Sequence, residues 1–173
     1  MSKRRLLPFM LLIPLLLSGC GLSQRAHNGT GSMLHAIFYP KVETLHLQLA
    51  ARMALNSNDA QMSSPVDVRL WPLRNTAAFR QAGYDGLLKQ DTALLAGDLS
   101  GQAVTVRVRP GVTVPVDIPL ADDVQAVAIA AFFFLPDLPG DTWRLTLVRD
   151  GMEADKPVVI ELNERTLQVR SRD

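Results

Sequence analysis

The sequence predicts an all-β fold: a two-layer antiparallel β-sandwich with a short helical insertion. Three observations carry this. Apolar and polar residues alternate with period two in several short stretches, as in Leu45-His46-Leu47-Gln48-Leu49 and Val104 to Arg109, the pattern of strands with one buried face. Turn signals separate these stretches at short intervals, among them Pro110-Gly111, Asp150-Gly151 and Asn163-Glu164. Only Asn75 to Gly83 reads clearly as a helix, with Asn75 as cap and Gly83 as stop.

Lys3, Arg4 and Arg5 precede an apolar run from Leu6 to Leu17, which ends in Leu17-Ser18-Gly19-Cys20. A positive start, a short apolar run and small residues before a cut make a secretory signal peptide. The run is too short for a membrane-spanning helix, which needs roughly 20 apolar residues. The tetrapeptide resembles the bacterial lipobox, in which cleavage falls just before the cysteine. The resemblance implies that residues 1–19 are removed and that Cys20 carries a thioether-linked diacylglycerol and an N-acyl chain. Several acyl chains, at about 0.8 kcal/mol per buried methylene, make such a tether effectively permanent. Gly21 stands where an aspartate would resemble an inner-membrane retention signal, so the expected destination is the periplasmic face of the outer membrane. Gly21 to Ser32 is small and polar, and residues 20–40 are read as a lipidated flexible tether. Residues 41–173 form the expected sandwich domain.

The strands follow in order. Leu45 to Leu49 and Val66 to Leu70 alternate cleanly. After the helix, Asp85 to Leu88 adds a possible turn, and Thr92 to Leu95 reads as a short strand before Gly97-Asp98. Val104 to Val108 alternates again. Val112 to Ile118 alternates too, with Pro115 and Pro119 marking an edge strand. Val124 to Leu135 is almost wholly apolar, and its β-branched and aromatic residues favour a central strand over a helix. Val127, Ile129 and Phe133 are expected in the core, with Ala128, Ala130 and Phe132 facing another layer or a covering helix. Trp143 to Leu147, Val158 to Leu162 and Thr166 to Arg170 complete the set, the last two as a hairpin.

The 173 residues carry a formal charge of +1, and losing Lys3, Arg4 and Arg5 takes it to −2. That balance argues against nucleic acid and against a polybasic membrane patch. The one cysteine excludes an internal disulfide. No histidine pair has zinc-ligand spacing, and no serine sits in a nucleophile elbow. Asp122 and Asp123 read as turn residues. Arg69, Arg107, Arg109, Arg144 and Arg149 occur singly and read as a solvated sheet face. The chain is therefore expected to be no enzyme, with no cofactor beyond its lipid, no metal and no small-molecule substrate.

The order of the pieces resembles a known family. A first strand leads to Pro65-Val66-Asp67-Val68-Arg69-Leu70-Trp71-Pro72-Leu73. A helix with Phe79, then Tyr84-Asp85-Gly86-Leu87, Leu94 to Leu99, Val108-Arg109-Pro110-Gly111 and the alanine-rich Val127 to Phe134 follow, before Trp143-Arg144. This set, spread over nearly the whole domain, resembles the type VI secretion lipoprotein family TssJ (SciN). The resemblance implies a transthyretin-like sandwich in the outer membrane that binds the periplasmic domain of a TssM-like inner-membrane protein, with TssL in the same complex. It places a contact loop at Arg52 to Ser64. Within that loop Met53, Leu55, Asn56, Asn58 and Met62 are the expected partner-binding residues, since they combine adaptable apolar anchors with uncharged hydrogen-bonding groups. The alternative is a different outer-membrane lipoprotein whose sandwich binds a small ligand or a cell-envelope component.

Substituting Cys20→Ser is expected to abolish palmitate incorporation and release the protein from the membrane fraction. Radiolabelling with cell fractionation checks this, and undiminished label in the variant would refute the anchor.

Overall fold

The computed structural model describes residues 42–154 and 156–171. The expected signal peptide, Cys20 and the tether through Pro40 lie outside the described residues. Eight strands form two four-stranded sheets. The first sheet is built from β1 (Thr44–Ala51), β4 (Thr113–Pro119), β7 (Val158–Leu162) and β8 (Leu167–Val169), in the order β4-β1-β7-β8. The second is built from β2 (Val66–Leu73), β3 (Val104–Val108), β5 (Ala126–Ala131) and β6 (Arg144–Val148), in the order β3-β2-β5-β6. All ladders are antiparallel except β1 with β7, which run parallel, Leu49 opposite Ile160. That pair joins segments more than 100 residues apart.

Alternation decides the core. Leu45, Leu47 and Leu49 of β1 meet Val66, Val68 and Leu70 of β2 between the layers, and all six are buried. Pro115 and Pro119 do sit on an edge strand, β4, where a missing N–H costs no ladder bond. β5 is buried along its whole length. Val127 and Ile129 face the other sheet, whereas Ala126, Ala128 and Ala130 lie on the opposite face, beside Trp71 across the β2 ladder. Small side chains there let helices approach. Phe133, just past the strand, is buried, and Phe132 is half-buried.

Two helices belong to that outer layer: α1 (Ala77–Gln81) and α2 (Tyr84–Leu95). Asn75 serves the first, its Oδ1 accepting from the Ala77 N–H at 2.8 Å. Gly83 ends one helix and starts the next, its carbonyl accepting from the Leu87 N–H. The strand expected at Thr92 to Leu95 is instead the last turn of α2. Its stripe is Leu87, Asp91 and Leu95, four residues apart. The polar Asp91 hid that period, although in the fold it accepts the Trp71 Nε1–H at 3.0 Å.

Three of the five arginines, Arg69, Arg144 and Arg149, correct the reading of a solvated face, whereas Arg107 and Arg109 are exposed as expected. At Gln90 α2 departs from helical geometry (φ −139°, ψ 22°). Arg69 Nη1 donates to the Leu87 and Leu88 carbonyls beside this kink, 3.2 Å each, and the guanidinium pairs with Asp91. Arg144 donates to Phe79, Ala82 and Arg80 carbonyls at the end of α1, at 2.7, 2.6 and 3.1 Å. A cation there also meets the negative end of the helix. Arg149 bonds the Ala121, Val124 and Val42 carbonyls, fixing the place where the chain enters the domain. Arg107 is different: it forks onto Asp67 across the β2–β3 ladder in the open.

Arg144→Met keeps the stem but leaves those carbonyls without a charged donor, at a side chain only 14% exposed. Charged hydrogen bonds of this kind are worth about 1.5–3 kcal/mol, so a clear drop in melting temperature is expected. Arg107→Met should melt within error of the parent, and equal losses for both would refute the distinction.

Candidate functional site

The strand directions gather four connections at one pole of the sandwich. These are the β1–β2 loop, the Pro110-Gly111 turn, the β5–β6 loop and the β7–β8 turn. Val42 and the connections of the helices to β2 and β3 lie toward the other pole.

The five residues expected to bind a partner divide in two. Leu55 is fully buried and belongs to the core. Asn56 is also buried. Its backbone has φ +47°, a left-handed conformation that asparagine tolerates better than most residues. Its Nδ2–H donates to the Pro65 carbonyl (2.9 Å), its Oδ1 accepts from the Phe134 N–H (2.7 Å), and its own N–H donates to the Glu164 carbonyl (3.0 Å). One side chain and its amide therefore tie three of the four connections together. Leu55 and Asn56 shape the loop; in this conformation their side chains are closed to a partner.

Asn58 is half-buried and closes a tight turn, its Oδ1 accepting from the Ala60 and Met62 N–H groups at 3.0 Å each. Met53 and Met62 point outward, 75% and 60% exposed. Met53 lies over Gly111, where a Cβ would collide with its sulfur and where φ is +71°. Glycine at that turn thus serves both the backbone and the seat of Met53.

The root of the loop is held electrostatically. Arg52 Nη2 donates to Glu161 Oε2 at 3.2 Å, Gln168 Nε2 to the same oxygen at 3.1 Å, and Arg170 Nε to Oε1 at 2.7 Å. The Arg170 hydrogen bond chiefly, with those of Gln168 and Arg52, holds the Glu161 carboxyl at about 2, below the usual 4.5.

Sequence reasoning overlooked the β5–β6 loop, which exposes Phe134, Leu135 and Leu138. The signal was there: Phe132-Phe133-Phe134-Leu135 is a longer apolar run than the end of a strand can bury on both faces. Six of the nine exposed large apolar side chains among the described residues lie at this pole: Met53, Met62, Val112, Phe134, Leu135 and Leu138.

Elsewhere, an open cleft of about 840 Å³ runs between β6 and the β7–β8 hairpin, lined by Leu147, Val148, Met152, Val158 and Val169. Its polar side chains are Thr146, Arg170 and Ser171, and Arg170 is engaged by Glu161. A small-ligand site needs a few convergent polar groups, which this lining does not supply. Among the described residues no cluster of three His, Cys, Asp or Glu side chains could hold a metal ion, and no helix is long and apolar enough to cross a membrane.

A family model described as type VI secretion lipoprotein (VasD, EvfM, TssJ) matches residues 43–169. A chain in a solved structure described as a type VI membrane complex is 38% identical, with TM-score 0.71, over 75% of this chain and 99% of that one. A chain in a structure described as the T6SS protein TssM C-terminal domain from EAEC is 36% identical, with TM-score 0.67, over 76% of this chain and 100% of that one. The T6SS lipoprotein TssJ1 from Pseudomonas aeruginosa shares the fold at 24% identity, with TM-score 0.65, over 78% of this chain and 98% of that one. No curated protein sequence matches significantly.

Because folding lowers the Glu161 pKa, the clamp contributes its full stability above the unfolded value of 4.5 and loses it as pH falls toward about 2. Melting temperature measured across that window should therefore decline less steeply in Glu161→Gln than in the parent protein. Superimposable pH profiles would refute the role of the clamp.

Proposed function

The chain belongs to the type VI secretion lipoprotein family, structural components of the secretion apparatus in the cell envelope, and from that premise we propose that it anchors the periplasmic domain of a TssM-like inner-membrane protein to the outer membrane. Cys20 carries the lipid, and TssL belongs to the same envelope-spanning complex. The observation that carries the reading is the concentration of exposed apolar side chains at the loop pole. Val42, where the chain leaves the domain toward Cys20, lies at the other pole. Similar chains at 38% and 36% identity come from structures described as a type VI membrane complex and a TssM domain, which supports the choice of partner.

Within the β1–β2 loop the contacts divide by burial. Met53 and Met62 meet the partner directly, because flexible thioether side chains adapt to an opposing surface. Asn58 holds Met62 in place. Leu55 and Asn56 supply the rigid frame, so their contribution to binding is indirect. Deleting the whole loop would remove a core leucine and the three-way asparagine tie together, and would confuse folding with binding. Point substitutions at the exposed methionines avoid this.

Met53→Ser with Met62→Ser is expected to weaken binding of the TssM-like periplasmic domain about tenfold or more, the scale of losing central apolar anchors. Calorimetric titration of the lipidated full chain in detergent measures it, with an unchanged melting temperature as the folding control. Parental affinity in the folded double variant would overturn the assignment.

A further inference from the structure

We propose that the β5–β6 loop forms a second, separately removable half of the docking surface, one that takes an extended apolar segment of the partner bearing a lysine or arginine. The inference rests on the partner assigned above. Two shallow grooves flank Leu135. One, of about 330 Å³, is lined by Asn58, Asp59, Ser64, Phe134 and Leu135. The other, of about 310 Å³, runs from Asp59 and Gln61 past Leu135 to Glu164 and Arg165. Phe134, Leu135 and Leu138 are 63%, 50% and 55% exposed.

These side chains stand on a backbone that is already fixed. The Phe134 N–H is held by Asn56 Oδ1. Asp137 clasps the far side, its Oδ1 accepting from the Gly140 N–H at 3.1 Å and its Oδ2 from the Thr142 hydroxyl at 2.7 Å. The Leu138 carbonyl accepts from the Asp141 N–H at 3.2 Å, and Asp141 takes φ +51°. A loop ordered in advance has little conformational entropy left to lose on binding. Large apolar groups held rigidly in water are the mark of a recognition surface.

The charge around the grooves selects the occupant. Asp59 borders both and Glu164 the second, and neither carboxylate has an ion pair among the described residues. Arg165 acts on Asp137. A partner segment with apolar side chains against Phe134 and Leu135 and one basic group near Asp59 and Glu164 satisfies both features. The surface is continuous with Met62, since Asn58 lines both grooves and holds the Met62 N–H.

The test uses two double variants of the lipidated full chain, Phe134→Ser with Leu135→Ser, and Asp59→Lys with Glu164→Lys. Each is titrated with the TssM-like periplasmic domain at low and high salt. The first should bind at least tenfold more weakly, with the salt dependence kept. The second should bind more weakly at low salt and lose most of its salt dependence. Parental affinity in both folded variants would overturn the inference while leaving the methionine result standing. A self-association of the parent protein abolished by Phe134→Ser with Leu135→Ser, with partner binding intact, would also overturn it in favour of a second copy. Failure of the unsubstituted protein to bind would overturn both readings.

Discussion

Burial of β5 and the end of β2 on both faces is the constraint from which the rest of the domain follows. One face meets the first sheet across the apolar core, and the other is covered by α1 and α2. Helices approach a sheet closely only where side chains are small, and β5 offers Ala126, Ala128 and Ala130 on that face. Covering it takes polar groups out of water. Trp71 Nε1, the carbonyls beside the Gln90 kink and those at the end of α1 would each be costly if left unpaired. Asp91, Arg69 and Arg144 answer them. Among the described residues no buried side-chain nitrogen or oxygen is left without a partner. The rings join in: Arg144 lies 5.5 Å from the Phe79 centroid and 4.9 Å from that of Trp143, and Arg69 lies 4.8 Å from that of Phe132.

The same layer reaches the loop pole through Tyr84. Its hydroxyl donates to the Phe133 carbonyl at 2.5 Å, and its ring stacks edge-on against Phe132 and Trp143. Burial, with Asp85 nearby, pushes its phenol up to about 12, so it stays a donor throughout the physiological range. The next residue, Phe134, takes its direction from Asn56. A chain of fixed groups therefore runs from the start of α2 to the exposed apolar residues of the β5–β6 loop. That continuity makes the loop a presented surface rather than a slack connection.

What was legible in the residues was whatever repeats locally. Period-two alternation located seven of the eight strands in their places, and the apolar Val124 to Leu135 stretch was correctly read as a central strand, observed over Ala126–Ala131. The antiparallel expectation missed the β1–β7 pair, because nothing local tells a strand that its neighbour lies over 100 residues away. α2 was lost because Asp91 occupies its buried stripe, an arrangement that makes sense only once Trp71 is placed beside it. Arg69, Arg144 and Arg149 read as solvated because their partners include backbone carbonyls, which no sequence pattern displays. The loop failed in a similar way. Leu55 and Met53 look alike as apolar loop residues, and only the tertiary fold sends one inward and leaves the other 75% exposed. Asn56 looks like any polar loop residue until Phe134, 78 positions along, supplies its partner.

The docking surface proposed above must be apolar enough to bind and dispersed enough to avoid aggregating before it meets its partner. The loop pole meets both demands by composition. Its six exposed apolar side chains come from three separate connections, and Asn58, Asp59 and Gln61 stand between Met53 and Met62 along the chain. No single stretch offers a long, flat apolar edge of the kind that pairs with another copy. The frame makes such dispersal workable. Because Asn56, Asp137 and the Glu161 clamp hold the connections in fixed relation, separate small contacts can act at once on one partner without a further ordering cost.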